Sequence, residues 1–385
     1  MIASPSACTL PTMKLHYSTV LVAALSLLAS VFAADEPIDF NRARQLFQRQ
    51  QKGDKLSDDE RAYLERAMAE RRKQNGGGGG GGGQAQRPSP WTEHLTPLTE
   101  LGTGQYQDQD GGLYGGGSNE PPKAHHDAAL KEAAKIQPLD AEGKPAADGK
   151  IGMISVGMSN TTQEFSLFAQ RANADAEKSK TVAIVDCAQG GQTGTRWADP
   201  NTPLWTEVDR RLASAGVSAK QVEVAWMKQA EAGPANLGAF PKHAQVLKEN
   251  LVKVVGLLKQ RFPNLRIVYL SSRIYAGYAT TPLNPEPYAY ETAFSMRWLI
   301  QDQIAGKPEL NYDSARGDVK APLLLWGPYL WADGKTPRKA DGLTYLPEDL
   351  GGDGTHPSNS GREKVAGLLL RFLKSDDTAK KWFVK

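Results

Sequence analysis

From residue 151 onward, five runs of nearly uninterrupted apolar residues punctuate the chain: "IGMISVGM" at 151–158, "TVAIVDC" at 181–187, "VEVAWM" at 222–227, "RIVYLSS" at 266–272 and "PLLLWG" at 322–327. Each is short and bounded by turn-forming or polar residues, which marks strands covered on both faces. Between them the spacing turns helical. Helices are predicted from about Gln163, from Leu204 to Ala213, over 243–262, from Tyr290 to Ile304, and after Ser360, where Val365, Leu368, Leu369, Phe372 and Leu373 make one apolar face. Strand and helix alternating in this way predict an α/β fold, a three-layer αβα sandwich around a five-stranded parallel sheet. Such sheets hold ligands beyond the carboxyl ends of their strands, where the strand order switches. Residues that directly follow a strand are therefore the first place to seek chemistry.

Upstream the pattern changes. Phe40, Ala43, Leu46 and Phe47, then Leu56, Tyr63, Leu64, Ala67 and Met68, recur at helical spacing and predict an N-terminal helical hairpin over 34–73. Ser57 and Glu60 form a capping box for its second helix. The intervening "QKGDKLSDDE" lacks the alternating acidic ligands of a calcium loop, so the hairpin is read without metal, and nothing specifies its partner. Gly76 to Gly83 are consecutive glycines at the centre of a flexible linker over 74–90, after which a folded domain occupies 91–385. Ahead of the hairpin, Lys14 precedes an apolar run from Val20 to Leu28 that ends in Val31-Phe32-Ala33. This is the pattern of a signal peptide over 1–33, cleaved after Ala33 and initiated at Met13, and it predicts a secreted or periplasmic protein. The run is short for a membrane span and no later stretch replaces it, so no stable membrane insertion is expected.

Composition narrows the classes of function. The 385 residues are 40% hydrophobic and 23% charged, as in ordinary soluble domains, and the net charge of +3 has no basic stripe to recommend a nucleic-acid partner. Cys8 lies in the signal segment, which leaves Cys187 without a partner and read as a buried, inert thiol. The Gly-rich segment "YQDQDGGLYGGGSNEPP" lacks the GxGxxG arrangement of a nucleotide loop.

Histidine placement identifies a candidate base. His94, His125 and His126 precede the first sheet strand, and His243 is read as starting a helix on the opposite, amino-terminal side. His125-His126-Asp127 is a poor metal set, because adjacent histidines point in different directions. His356 alone follows the last strand with a carboxylate beside it, in "GGDGTHPSNSG". An Asp-x-x-His loop lets Asp353 curl back onto Nδ1 and leaves Nε2 free to act as a base. At the end of the first strand, "SVGMSN" offers Ser159 as a nucleophile or, alternatively, as a helix N-cap. Asn160 is read as a local hydrogen-bonding residue at the helix start.

Ser159 after the first strand, glycines after the second, polar residues after the third and Asp353-x-x-His356 near the C-terminus together resemble the GDSL/SGNH hydrolases over roughly residues 150 to 375. The resemblance implies a flavodoxin-like fold, Ser159 as nucleophile, His356 as general base, Asp353 as its orienter, and no cofactor or metal. "GGQTGTRW" is similar to the Gly-Gly…Trp loop of the sialate O-acetylesterase-like branch of carbohydrate esterases, which implies a small-molecule or polysaccharide ester as substrate. The oxyanion hole then draws on the Ser159 N–H and on Gly190 or Gly191, with Gly191 preferred. In place of the family's third-strand motif stands "AWMKQAEAG", where Lys228 or Gln229 is the candidate donor. Arg196, Trp197 and Trp226 are the candidate substrate-binding residues. Tyr275 and Trp331 are read either as sugar-stacking rings or as core.

Overall fold

The protein is described from a computed structural model that covers residues 38–51, 56–75 and 93–385. The expected signal segment and the glycine run lie outside these residues. The chain divides into two compact units, up to Gln84 and from Ala85.

In the first unit, α1 (Phe40–Gln51) and α2 (Asp58–Asn75) bury Ala43, Leu46, Leu56, Tyr63, Leu64 and Ala67 against one another. The predicted capping box is present: the Glu60 N–H donates to Ser57 Oγ at 3.2 Å and the Ser57 N–H to Glu60 Oε2 at 2.9 Å. These bonds satisfy two donors that a helix start otherwise leaves free.

The second unit begins with a small ribbon, β1 (Gln105–Tyr106) paired antiparallel with β2 (Gln109–Asp110), and a helix α3 (Lys123–Ala133) that the sequence reading did not anticipate. The sheet follows, built from β3 (Ile151–Gly157), β4 (Val182–Val185), β5 (Val222–Lys228), β6 (Ile267–Leu270) and β7 (Leu323–Trp326) in the spatial order β4-β3-β5-β6-β7, all parallel. Every residue of β3, β5, β6 and β7 is buried, which is why these strands read as continuous apolar runs. The edge strand β4 is only partly covered, with Ala183 and Ile184 half-buried, although its four residues are all apolar.

The covering helices are α4 (Ser159–Ala174), the one-turn α5 (Gly194–Trp197), α6 (Leu204–Ser214), α7 (Lys242–Arg261), α8 (Tyr288–Ile304), α9 (Asn359–Ser375) and the one-turn α10 (Lys380–Phe383). α4 packs on α9, while α7 packs on both α8 and α5. This is the predicted three-layer sandwich. α4 turns its Phe165, Phe168 and Ala172 inward, fully buried, and each phenylalanine contributes about 1.5–3 kcal/mol by leaving water. Among the described residues no helix is long and apolar enough to cross a membrane.

Candidate active site

The strand order fixes where the site can form. β3 lies between β4 and β5, with Gly157 level with Lys228, so the chain leaves β3 at the point where the winding reverses. α4 starts at Ser159 itself rather than near Gln163, with Met158 in an extended conformation at the N-cap and no side-chain cap. Ser159 is therefore not the capping residue, and its hydroxyl is available elsewhere. It lies 2.6 Å from His356 Nε2, and His356 Nδ1 lies 2.6 Å from Asp353 Oδ2. A carboxylate can only accept, so the network assigns the proton to Nδ1 and leaves the Nε2 lone pair facing the serine O–H.

The loop that carries the base is closely specified. Asp353 Oδ1 accepts from the backbone N–H groups of Thr355 and His356, each at 3.0 Å, and Thr280 N–H ties the Asp353 carbonyl to the loop after β6 at 3.0 Å. Gly354 has φ +62°, and a Cβ there would stand 1.9 Å from the Tyr278 carbonyl oxygen, so only glycine fits. Partial burial works against ionisation of Asp353, but the His356 ring and the two backbone donors outweigh it and hold the carboxyl well below the usual range. Its folded-state contribution is therefore complete above the unfolded carboxyl's pKa of about 3.9 and fades as pH falls below it, reduced by solvent screening at this half-exposed position.

Two backbone donors flank the nucleophile. Among the described residues, neither the Ser159 N–H, at the positive end of α4, nor the Gly190 N–H donates to a protein acceptor. A Cβ built on Gly190 would lie 3.7 Å from Ser159 Cβ, whereas one on Gly191 meets nothing within 4 Å. Gly190 borders the serine, and Gly191, at φ +76°, makes the turn, which favours Gly190 over the expected Gly191 as the second donor. Gly191→Ala is expected to cost about 1–2 kcal/mol in urea denaturation through left-handed strain. Gly190→Ala, in ordinary van der Waals contact, should stay within about 0.5 kcal/mol of wild type yet lower kcat/KM for an ester, and the reverse pattern would contradict this assignment.

The loop holding Gly190 is itself anchored. Half-buried Asp186, the residue after β4, accepts from Ser155 Oγ at 2.5 Å, Ser166 Oγ at 2.8 Å and Thr162 Oγ1, while Arg211 donates to the Asp186 and Ala188 carbonyls at 2.8 and 2.9 Å. Burial raises the Asp186 carboxyl against those donors.

Several expected site residues are placed elsewhere. Lys228 is buried and its ammonium is bonded to the fully buried Glu164, so it is not positioned as an oxyanion donor. Gln229 is buried too, and its amide donates to the Gln192 carbonyl at 3.4 Å, tying the β5 loop to the Gly190 loop. Trp197 is a core residue: its indole N–H donates to the Gly157 carbonyl at 3.2 Å and its ring packs edge-on against Trp205. Trp226 is likewise core, donating to Ser271 Oγ at 2.9 Å. Neither tryptophan offers a face to a sugar. Arg196 alone of the three substrate-binding candidates is exposed, on α5.

Tyr275 and Trp331 pack edge-on in the core, and the Trp331 N–H reaches the buried Glu286 at 2.8 Å. Asn160 Oδ1 accepts from Thr161 N–H, a local bond as expected. Cys187 is buried, which pushes its thiol up. His243 needs correction, because a helix that follows a strand begins at the carboxyl edge. It is on the same edge as Ser159 but bonded to Glu291 at 2.7 Å and packed against Phe240 and Tyr288.

Two residues close to the triad were missed by sequence reasoning, Glu164 and Arg273. A signal existed for the first: a lysine ending a wholly buried strand requires a buried carboxylate partner.

No family profile and no curated protein matches the sequence. Among solved structures the chain is similar to a lipase, Lip_vut3, from a goat rumen metagenome, at 13% identity over 58% of this chain and 97% of that one, with a TM-score of 0.33. It is also similar to salicylyl-acyltransferase SsfX3 from a tetracycline biosynthetic pathway, at 14% identity over 60% of this chain and 56% of that one, with a TM-score of 0.32. Likenesses this distant identify neither a reaction nor a substrate.

Proposed function

We propose that the protein is a serine esterase that works through an acyl-enzyme on Ser159. The observation that carries this reading is the unbroken relay Ser159 Oγ, His356 Nε2, His356 Nδ1, Asp353 Oδ2, with both links at 2.6 Å. Ser159 Oγ attacks the acyl carbonyl carbon as its proton passes to Nε2, and the carbonyl oxygen takes the charge between the Ser159 and Gly190 N–H groups. The intermediate collapses, and the departing alkoxide takes the proton from the imidazolium. Water, deprotonated by the same nitrogen, then attacks the acyl-serine, releases the acid and restores the serine.

The finer reading is an O-acetyl ester on a carbohydrate, met outside the cell after export. The Gly190-Gly191…Trp197 spacing supports the substrate, and the segment ending at Ala33 supports the location. Buried Trp197 and Trp226 lend the sugar no stacking surface, so the loop spacing alone bears this part. Purified protein given p-nitrophenyl esters and acetylated polysaccharides is expected to cleave acetate faster than octanoate and to release acetate from the polymer. Faster cleavage of the long chain would replace this reading with a lipase. No cleavage of any ester would end it.

A further inference from the structure

Behind the triad the structure buries three charged side chains that the acyl transfer does not use: Glu164, Lys228 and Arg273. Arg273 lies three residues beyond β6 and is 1% exposed. Its guanidinium Nη2 donates to the carbonyl of Thr355, the residue before His356, across a long 3.4 Å. Arg273 Nε, Glu164 Oε1 and the Tyr345 hydroxyl have no hydrogen-bond partner among the described residues. Burying an ion costs several kcal/mol, and one long hydrogen bond does not offset that. What Arg273 has instead is opposite charge from three directions: Glu164 on α4, Glu286 ahead of α8, and Asp353 in the triad loop.

We propose that Arg273 is a positioning residue, a buried positive charge behind Asp353 that keeps His356 neutral at rest and so able to take the proton of Ser159. This inference rests on the esterase reading above. A carboxylate beside an imidazole favours the imidazolium, which has no lone pair left at Nε2 and cannot act as a base. The charges near His356 come from every side: Asp353 from its own loop, Glu164 from α4, Lys228 from the end of β5, and Arg273 from the loop after β6, with the Tyr345 phenol near Glu164 and Glu286 near Arg273.

Lys228 balances Glu164 directly. Asp353 is then balanced either by Arg273 or by a proton on His356, and a fixed guanidinium supplies that charge without consuming the base. The Glu286 oxygens already accept from the Ala276 and Tyr290 N–H groups and the Trp331 indole, at 2.9, 3.0 and 2.8 Å, which leaves Arg273 free to serve Asp353. During catalysis the new imidazolium touches Asp353 at 2.6 Å, whereas Arg273 meets the loop only through the Thr355 carbonyl, so contact attraction exceeds the more distant repulsion.

The test is the pH profile of kcat/KM on p-nitrophenyl acetate for wild type, Arg273→Lys and Arg273→Met. The acid limb of Arg273→Met is expected to move to higher pH by about 1 unit with activity recovered on the alkaline plateau, while Arg273→Lys keeps the limb near wild type. A folded Arg273→Met whose plateau drops with the limb unmoved has lost packing only and overturns the proposal. If Arg273→Met does not fold, Glu164→Gln removes the opposite charge and must move the limb to lower pH; an unmoved or raised limb overturns the proposal equally. Wild-type protein that cleaves no ester overturns the esterase reading instead.

Discussion

Ser159→Ala is expected to lower kcat/KM on p-nitrophenyl acetate by about 10⁴–10⁶-fold, the range over which a triad acts as a unit. The serine oxygen is the one atom in the relay that bonds to substrate, so no neighbour replaces it. The variant should fold as wild type, because the side chain is only partly buried and its one side-chain partner, His356, keeps Asp353. Far-ultraviolet circular dichroism and urea midpoints check the fold while initial rates check the loss. A variant that retained a tenth of the wild-type rate would remove Ser159 from the mechanism. His356→Ala should fall into the same range, and the double variant should be no worse than either alone, since both remove one device.

Lys228→Met carries the largest expected cost in stability. It leaves Glu164 fully buried without its counter-charge, and breaking such a pair costs about 3–5 kcal/mol. The sign of the pH dependence follows from the same burial, which raises the Glu164 carboxyl even with the lysine present. A carboxyl with a raised folded-state pKa gives its full stability below the unfolded value of about 4.3 and loses it as pH rises through the folded value. The Lys228→Met deficit should therefore grow from pH 5 to pH 8 in urea titrations. Removing both charges, as in Lys228→Met with Glu164→Leu, should recover most of it, because an apolar pair of similar volume often replaces a buried ion pair without loss. An oxyanion donor would behave otherwise: Lys228→Met would then keep wild-type stability and lose kcat.

Contacts within an element are legible in the sequence, and contacts between distant elements are not. The strands β3, β5, β6 and β7 were legible because each is buried along its length and so is largely apolar, and the edge strand β4 because its four residues are all apolar. The helices α7 and α9 were legible from their apolar stripes, whereas the one-turn α5 and α10 are too short to show any period. Asp353 and His356 were legible because their contact spans three residues, and Ser159 because a strand ends just before it.

Side-chain partnerships across the fold were not legible. Lys228 looked like an available donor because its partner Glu164 is 64 residues away on another element, a contact that no local spacing reveals. Trp197 and Trp226 looked like sugar platforms because sequence does not tell a ring at the mouth of a site from one packed beneath it. His243 begins a helix that follows a strand and so shares the carboxyl edge with Ser159, and only its bond to Glu291 shows why it is not a second base.

The most direct test of the central claim is to treat the folded protein with a fluorophosphonate and map the adduct by peptide mass spectrometry. One phosphonyl group is expected on the peptide that contains Ser159, absent in Ser159→Ala and strongly slowed in His356→Ala. Folded wild-type protein that stays unlabelled, or that carries the label on another residue, would contradict it.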